Sequence, residues 1–259
     1  MRRTLKLTIS YDGTRFVGWQ RQADGVSVQG LLEDALARFE GDAVDVQGAG
    51  RTDAGVHALG QVASARMTSR HTTEALARGL NACLPPDVRV TRVEDAAPDF
   101  HARFSARSKT YRYLLRNAHL VSPFERAYVG HVPEPLDLLA MRAAADTLVG
   151  THDFSAFRST GSDVGDATRT VTQSEVHHVA GSLVPFVPTG GDHTLVAYEV
   201  SANGFLRHMV RAIVGTLVDI GRGRRAAASM AALLAGGSRA AAGATAAAHG
   251  LFLVRVDYD

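Results

Sequence analysis

Apolar and polar residues alternate at the start of the chain. Leu5, Leu7 and Ile9 take every second position between Thr, Lys and Ser, which predicts a half-buried strand. Ser27 precedes apolar residues at helical spacing, which predicts an N-cap and a helix ending near Phe39. Further patterns predict strands at 43–48, 59–66 and 88–94 and a helix at 72–83. The first half therefore follows the β-α-β-β-α-β order of a ferredoxin-like (split βαβ) unit.

The second half also contains both the alternation typical of strands and the spacing typical of helices. It predicts strands at 104–116, 170–179, 194–201 and 252–258, helices at 137–148, 206–220 and 226–235, and a polar, glycine-bearing loop at 158–169. We therefore predict an α+β protein with two successive domains, 1–105 and 106–259, and a cleft between them.

Composition narrows the class of protein. The chain has 259 residues, 46% hydrophobic and 21% charged, which is typical of a folded protein rather than a disordered one. Cys83 is the sole cysteine, so no internal disulfide is possible. No uncharged apolar run reaches the length of a membrane span, and Asp12 and Arg15 interrupt any signal-peptide core. We expect a cytoplasmic protein without membrane contact.

The distribution of charge is more informative than the net charge of +2. The 28 basic residues include only two lysines, and a genomic bias toward Arg codons explains that preference. The positions of the basic residues along the chain need another explanation. The segment between Asp99 and Glu125 carries five basic residues and no acid, and the segment 203–239 carries six Arg against one Asp. Two clusters of +5 in a nearly neutral chain indicate a surface that faces a polyanion.

The segment Gly48–Ala58 is the densest candidate site, with three glycines around Arg51, Asp53 and His57. A neighbouring Arg keeps an Asp ionised, and a positioned carboxylate can act as a nucleophile or base. The alternative is a tight turn in which Asp53 caps backbone amides and Arg51 is its ion-pair partner. The glycine spacing matches neither common phosphate-binding loop.

Basic and aromatic residues also alternate in the predicted strand at 104–116. Arg107, Lys109, Tyr111 and Tyr113 would share one face, which can stack a base and neutralise phosphates. The alternative is a strand whose tyrosines fill a core.

A third candidate lies at the start of the helix predicted at 206–220. Arg207 and Arg211 are four residues apart and would lie on one helical face beside His208. The alternative is a solvated polar face opposite the apolar stripe.

The eleven histidines do not predict a metal site. His177 and His178 are adjacent, so on a strand they point to opposite faces, and the chain has no H-E-x-x-H motif or cysteine pair. A Ser-His-Asp triad stays open, although no G-x-S-x-G motif indicates one.

Together these segments form an ordered series that resembles the TruA-type family of tRNA pseudouridine synthases. The resemblance covers nearly the whole chain. Its motifs are Tyr11-Asp12-Gly13, Phe16-Val-Gly-Trp-Gln-Arg-Gln22, Ser27-Val-Gln29, Gly50-Arg-Thr-Asp-Ala-Gly-Val-His57, Asn81-Ala-Cys-Leu-Pro85, Phe100-His-Ala-Arg-Phe-Ser-Ala106, Tyr111-Arg-Tyr113, Asp153-Phe-Ser-Ala-Phe157, His208-Met-Val-Arg211 and Gly250-Leu251. The match is looser at 158–169 and 226–248.

The resemblance implies two similar ferredoxin-like subdomains forming a pseudouridine-synthase fold, with a long mixed sheet and a central cleft. It implies a homodimer that binds the tRNA anticodon arm and converts uridine to pseudouridine at positions 38, 39 and/or 40. This isomerisation involves neither redox change nor transfer to a second molecule, so we expect no cofactor and no metal.

The resemblance also implies roles for four residues. Asp53 falls on the catalytic aspartate of the family, and Tyr111 on the tyrosine that packs against the target base. Arg211 falls on the basic residue that pairs with the aspartate, and Arg51 on an arginine linked to binding and flipping the RNA.

Two other classes of function are compatible with parts of the sequence. A non-catalytic RNA-binding protein of two ferredoxin-like modules would use the Arg and Tyr surface without needing Asp53, but the chain lacks an RNP1-like run. A metal-dependent nuclease would need ligands that the sequence does not group. Incubation with unmodified tRNA and EDTA separates the three by pseudouridine formation, binding alone, or chelation-sensitive cleavage.

Overall fold

The alternating segment at the start of the chain forms a strand, β1, whose apolar residues Leu5, Leu7 and Ile9 are fully buried. The structure is a computed structural model that describes residues 2–159, 165–181, 183 and 194–259. In chain order its elements are β1 (Arg3–Tyr11), α1 (Val28–Glu40), β2 (Val46–Gly48), β3 (His57–Met67), α2 (Thr73–Cys83), β4 (Val88–Ala96), β5 (Ser108–Asn117), β6 (Gly130–Val132), α3 (Leu138–Asp146), β7 (Gly150–Asp153), β8 (Thr168–Val179), β9 (Thr194–Ala202), α4 (Met209–Gly221), α5 (Ser229–Leu234) and β10 (Leu251–Asp257). The protein is thus mixed α and β, with more strands than helices in the described part.

The described residues group into two compact units. The first comprises Met1–Lys109 with Phe252–Asp259, and the second comprises Thr110–Leu251. The last strand therefore groups with the N-terminal unit, although it is distant in sequence. The division of the chain into domains at residue 105 stays a prediction.

The first unit has the element order expected from the sequence, β1-α1-β2-β3-α2-β4. β1 pairs antiparallel with both β3 and β4, β2 pairs antiparallel with β3, and β10 pairs parallel with β3. Ser27 caps α1 by accepting a hydrogen bond from the Gly30 amide, as its position before the apolar run predicts. β3 thus lies between β1 on one side and β2 and β10 on the other.

The second unit places α3 against β8 and α4. β8 pairs antiparallel with β7 and β9, β9 neighbours β5, and β6 runs parallel to β5. Asp137 caps α3 through its carboxylate. The apolar stripe of α4 is buried, including Val210, Ile213 and Leu217.

Several element boundaries differ from the prediction by a few residues, and two of these differences have a clear local cause. The strand expected at 104–116 begins only at Ser108, because residues 101–105 form a turn closed by the Ser105 amide and the His101 carbonyl. The helix expected from 206 begins at Met209, because His208 has left-handed backbone angles (φ 62°) that no α-helix continues.

Other differences concern short or undescribed segments. β6 and β7 were not predicted, since three or four residues are too few to show a period. Of the loop expected at 158–169, residues 160–164 lie outside the described residues, and Thr168 already belongs to β8. Among the described residues, no helix combines the length and apolarity that crossing a bilayer would need.

Candidate functional site

The loop between β2 and β3 presents Arg51 and Asp53. Arg51 is exposed and Asp53 is half-buried. The Val56 amide donates a hydrogen bond to the Asp53 carbonyl oxygen (3.1 Å), which closes a turn through Gly55 at a φ of 78°. The backbone of Asp53 is therefore fixed by the turn, and the residue as a whole is half-buried.

The segment Gly18–Trp19 packs against the backbone of this loop and hydrogen-bonds to it. The Trp19 amide donates to the Thr52 carbonyl oxygen (3.0 Å). Gly18 has a φ of 109°, and a Cβ there would lie 2.6 Å from the Thr52 carbonyl oxygen and 3.1 Å from the Asp53 carbonyl carbon. A Cβ at Gly48, at the other end of the loop, would lie 2.4 Å from the Trp19 indole. Glycine is needed at position 18 because only a residue without a side chain permits this approach.

A buried hydrogen-bond network fixes the residue before Asp53. The Tyr11 hydroxyl pairs with the Thr52 hydroxyl (2.8 Å), and the Gln61 amide donates to the Tyr11 oxygen (3.4 Å) and to the Gly50 carbonyl (2.9 Å). Burial raises the pKa of Tyr11 to about 12, although the hydrogen bonds from Thr52 and Gln61 act in the opposite direction. Tyr11 is therefore neutral at pH 7.

His57 anchors the end of the loop where β3 begins. Its side chain is almost fully buried and stacks on the Phe252 ring, with centroids 4.7 Å apart. The Gly13 amide donates to Nδ1 (3.0 Å), and an Asp12 carboxylate oxygen lies 3.2 Å from the same nitrogen. Because Nδ1 accepts from the Gly13 amide, a neutral His57 carries its proton on Nε2. This histidine belongs to the support of the loop.

Tyr111 lies on β5 in the second unit. Its side chain is 7% exposed and packs edge-on against Phe205, with ring centroids 5.0 Å apart at 81°. The neighbouring Thr110 hydroxyl pairs with Ser201 (2.8 Å), which ties this part of β5 to β9. The ring therefore has a fixed orientation and little exposed surface. Arg107, which was expected on the same strand face, lies outside the strand.

Arg211 lies in the first turn of α4, and backbone atoms hold its side chain. Its Nε donates to the Ala246 carbonyl (2.8 Å), and the Ala246 amide donates to the Arg211 carbonyl (3.0 Å). Burial raises the pKa of Tyr113 far above its ordinary value, and the positive charge of Arg211 opposes that shift. The Tyr113 hydroxyl donates to the next carbonyl, that of Ala247 (2.9 Å).

The residues preceding α4 do not form the helical face expected from the sequence. Arg207 lies in the turn before the helix and is exposed, so Arg207 and Arg211 are not one helical turn apart, and that prediction is wrong. His208 is the one described non-glycine residue with a positive φ. Its ring Nδ1 bonds the Ser159 hydroxyl (2.6 Å), and the Ser159 amide donates to the Arg207 carbonyl (3.2 Å).

The two basic clusters are partly neutralised. In the first, Arg116 is buried against Glu125, with guanidinium–carboxylate distances of 2.5 and 3.1 Å, and Arg112 forms two bonds to Glu199. In the second cluster Arg222 and Arg224 pair with Glu134, which lies outside the segment, whereas Arg225 pairs with Asp219, which the sum of +5 already includes. Both +5 sums therefore overstate the charge available to a polyanion.

Comparison with known proteins identifies the family. The profile of a family described as tRNA pseudouridine synthase matches residues 7–105 and 144–259, which is most of the chain. The chain belongs to the tRNA pseudouridine synthase family. Three relatives named tRNA pseudouridine synthase A come from Solidesulfovibrio magneticus (46% identical, covering 98% of this chain and 90% of the relative), Moorella thermoacetica (44%, 98% and 99%) and Myxococcus xanthus (45%, 98% and 91%). The resemblance stated from the sequence motifs is thus confirmed.

One solved structure, titled as an unknown protein from Galdieria sulphuraria, aligns with 83% of this chain at 9% identity and a TM-score of 0.24. That score is too low to bear on the fold.

In this tRNA pseudouridine synthase the structure places Arg51 and Asp53 in the first unit and Tyr111 and Arg211 in the second. Their four roles stay predictions. Sequence reasoning missed the supports: the Tyr11 and Gln61 network, Gly18, and the carbonyls of Ala246 and Ala247. Tyr11 and Gly18 stood in the motifs quoted for the resemblance, but a backbone carbonyl on alanine leaves no side-chain signal.

The side chains that could ligate a metal are dispersed in the described part of this synthase. Within it, no group of three or more His, Cys, Asp or Glu side chains is arranged to hold a metal ion. The adjacent His177 and His178 lie on β8, where successive side chains point to opposite faces.

Proposed function

We propose that this chain isomerises uridine to pseudouridine at positions 38, 39 and/or 40 of the tRNA anticodon arm, with Asp53 as the catalytic carboxylate. One observation supports the proposal above the others. In a chain of the tRNA pseudouridine synthase family, Asp53 lies half-buried on a loop whose backbone is held by Trp19, by Tyr11 through Thr52, and by its own turn. Catalysis depends on such fixed geometry, because misplacement of a reacting group by about 1 Å can cost about a hundredfold in rate.

The reaction sets clear demands on the protein. The C1′–N1 bond breaks, the uracil turns, a C1′–C5 bond forms, and the proton that leaves C5 is balanced by one gained at N1. Nothing is oxidised and no group moves to a second molecule, so the proposal needs neither a cofactor nor a metal. A carboxylate next to an oxocarbenium-like sugar carbon is the arrangement that glycosidases use. Asp53 would either attack C1′ or remove a sugar proton to give a glycal.

Three other residues would bind the substrate. Tyr111 would pack against the extruded base, which the fixed orientation of its ring against Phe205 supports. Arg211 would pair with Asp53 and keep it ionised, and the Ala246 carbonyl orients its guanidinium through Nε. Arg51, exposed in the same loop as Asp53, would contact the RNA backbone during base flipping.

The wider expectations belong to the same proposal. We propose that the two units correspond to two similar ferredoxin-like subdomains around a central cleft, and that the enzyme acts as a homodimer in the cytoplasm. The order β1-α1-β2-β3-α2-β4 and its pairing support the first subdomain. Family membership supports the dimer and the tRNA partner.

Tritium release from tRNA labelled at C5 of uridine, with EDTA present, tests the proposal. Wild-type protein should release tritium from a transcript that carries uridine at only one of positions 38–40. Asp53→Asn keeps the size and polarity of the side chain but removes the carboxylate, so release should fall below detection while tRNA binding changes less than about threefold. Asp42→Asn is the matched control, since Asp42 is exposed just beyond α1.

Two results would contradict the proposal. Full tritium release by Asp53→Asn would exclude the carboxylate from chemistry. Binding by wild-type protein without any release would favour a non-catalytic RNA-binding protein instead.

A further inference from the structure

Phe104 is unusually exposed for an aromatic residue. It lies in the turn between β4 and β5, and it is 75% exposed, so its ring adds almost nothing to the core. A cationic and an aromatic side chain lie next to the Phe104 ring. The His101 ring centroid lies 4.4 Å from that of Phe104, and the Arg103 guanidinium carbon lies 5.4 Å from the same ring. We call His101, Arg103 and Phe104 the aromatic platform.

The turn that carries the aromatic platform is fixed by its own hydrogen bonds. The Ser105 amide donates to the His101 carbonyl (2.9 Å), and the His101 amide donates to the Ser105 hydroxyl (3.1 Å). The Arg103 amide donates to His101 Nδ1 (3.1 Å). The backbone that presents the platform is therefore fixed before any ligand arrives, which lowers the entropic cost of binding.

Ala102 anchors the turn to the sheet of the first unit. It is fully buried, its amide donates to the Ser64 hydroxyl (3.1 Å), and its carbonyl accepts from the Tyr258 hydroxyl (2.7 Å). Ala102 also shares one buried cluster with Ala49 and Val62. Ala49 begins the stretch that leads to Arg51 and Asp53. The platform and the proposed catalytic loop therefore rest on the same packed residues.

The charge around the platform selects among partners. Arg103 supplies a cation directly beside the exposed ring, whereas Arg107, further along the same segment, is paired with Asp259. The ring is flanked by Arg103 and His101 rather than by other apolar side chains. An aromatic face next to an arginine suits a nucleobase and its phosphate, because every base offers a π face and every linkage a negative charge.

We propose that the aromatic platform stacks an unpaired base of the tRNA substrate, with Arg103 neutralising an adjacent phosphate. The proposal rests on the proposed function for its substrate. It assigns binding at a second position on the same RNA, apart from the base that is isomerised. An unpaired base is specified because bases inside a duplex are already stacked and offer no free face.

Equilibrium binding of full-length variants to two RNAs tests this assignment. One RNA is an unmodified tRNA transcript, and the other is a blunt duplex of equal nucleotide number. Phe104→Leu keeps an apolar side chain without a π face, and Phe104→Trp restores one. Leu139→Ala is the control for loss of exposed apolar surface, because Leu139 is also 75% exposed.

Phe104→Leu should weaken tRNA binding by about ten- to a hundredfold, while Phe104→Trp and Leu139→Ala stay within about twofold of wild type. Duplex binding should be unchanged in all three variants. Arg103→Gln should lower the slope of log Kd against log salt by about one, whereas Phe104→Leu should leave that slope unchanged.

Equal tRNA binding by Phe104→Leu and wild type would overturn the proposal. So would a change in oligomeric state, measured by light scattering, with tRNA affinity unchanged, since that would assign the ring to a second copy of the chain. Tritium release by wild-type protein is measured in parallel. If release occurs and Phe104→Leu binds normally, only the platform fails; if no release occurs, the proposed function fails.

Discussion

The contact between Gly18 and the backbone around Asp53 makes a sharp prediction about the substitution Gly18→Ala. Gly18 has a φ of 109°, which an alanine adopts only at a cost of about 1–2 kcal/mol. The added Cβ would also lie 2.6 Å from the Thr52 carbonyl oxygen, whereas ordinary contact begins at 3.4 Å. The carbonyl therefore has to move by about 0.8 Å, and Asp53 follows directly in the chain.

The expected loss of activity in Gly18→Ala follows from this displacement of the Thr52 carbonyl. A shift approaching 1 Å in a reacting group costs up to about a hundredfold in rate, so Gly18→Ala should lower kcat by about ten- to a hundredfold. Its free energy of unfolding should fall by at least the backbone cost of about 1–2 kcal/mol. Binding of tRNA should change little, because no RNA-contacting side chain is removed.

Gly41→Ala is the matched control. Gly41 has a φ of 80° at the end of α1, and a Cβ there meets nothing within 4 Å. Urea unfolding should show a loss of about 1–2 kcal/mol for Gly41→Ala, with wild-type kcat in single-turnover tritium release. Wild-type kcat in Gly18→Ala, or an equal loss of activity in Gly41→Ala, would show that the contact of Gly18 with Thr52 does not position Asp53.

Two further predictions concern stability. Arg116→Met leaves Glu125 charged and buried, so the free energy of unfolding in urea should fall by about 3–5 kcal/mol. The double variant Arg116→Met with Glu125→Leu removes both charges and should lose much less. Equal losses in the two variants would contradict a penalty for the buried charge. Because the folded pKa of Tyr11 is raised from 10.0 to about 12, its contribution is fully present below pH 10 and is lost as the pH rises toward 12. Tyr11→Phe should therefore show a shallower loss of stability than wild type over pH 10–12, and parallel curves would argue against the raised pKa.

Local signals in the sequence determined most of the secondary structure. The period-two pattern of Leu5, Leu7 and Ile9 predicted β1, and Ser27 predicted the start of α1, because strand faces and helix caps depend on neighbours only a few residues away. The ordered motifs likewise led to the family. The glycines around Asp53 correctly predicted a loop between two strands.

Distant contacts decided which charges and supports surround the candidate site. The sequence grouped Arg112 and Arg116 with a surface that faces a polyanion, but Glu199 and Glu125 pair with them in the fold. Composition cannot show this, because a local sum of charges counts every Arg alike whether or not an acid from another strand meets it.

The same reason explains the two supports that the sequence did not reveal. A carbonyl on Ala246 orients Arg211, and the lack of a side chain at Gly18 lets Trp19 reach the loop of Asp53. Both depend on where the backbone passes, and residue type records that only indirectly. The sequence by itself therefore determined the elements and the family, while the tertiary structure decided which arginines are neutralised and how Asp53 and Arg211 are held.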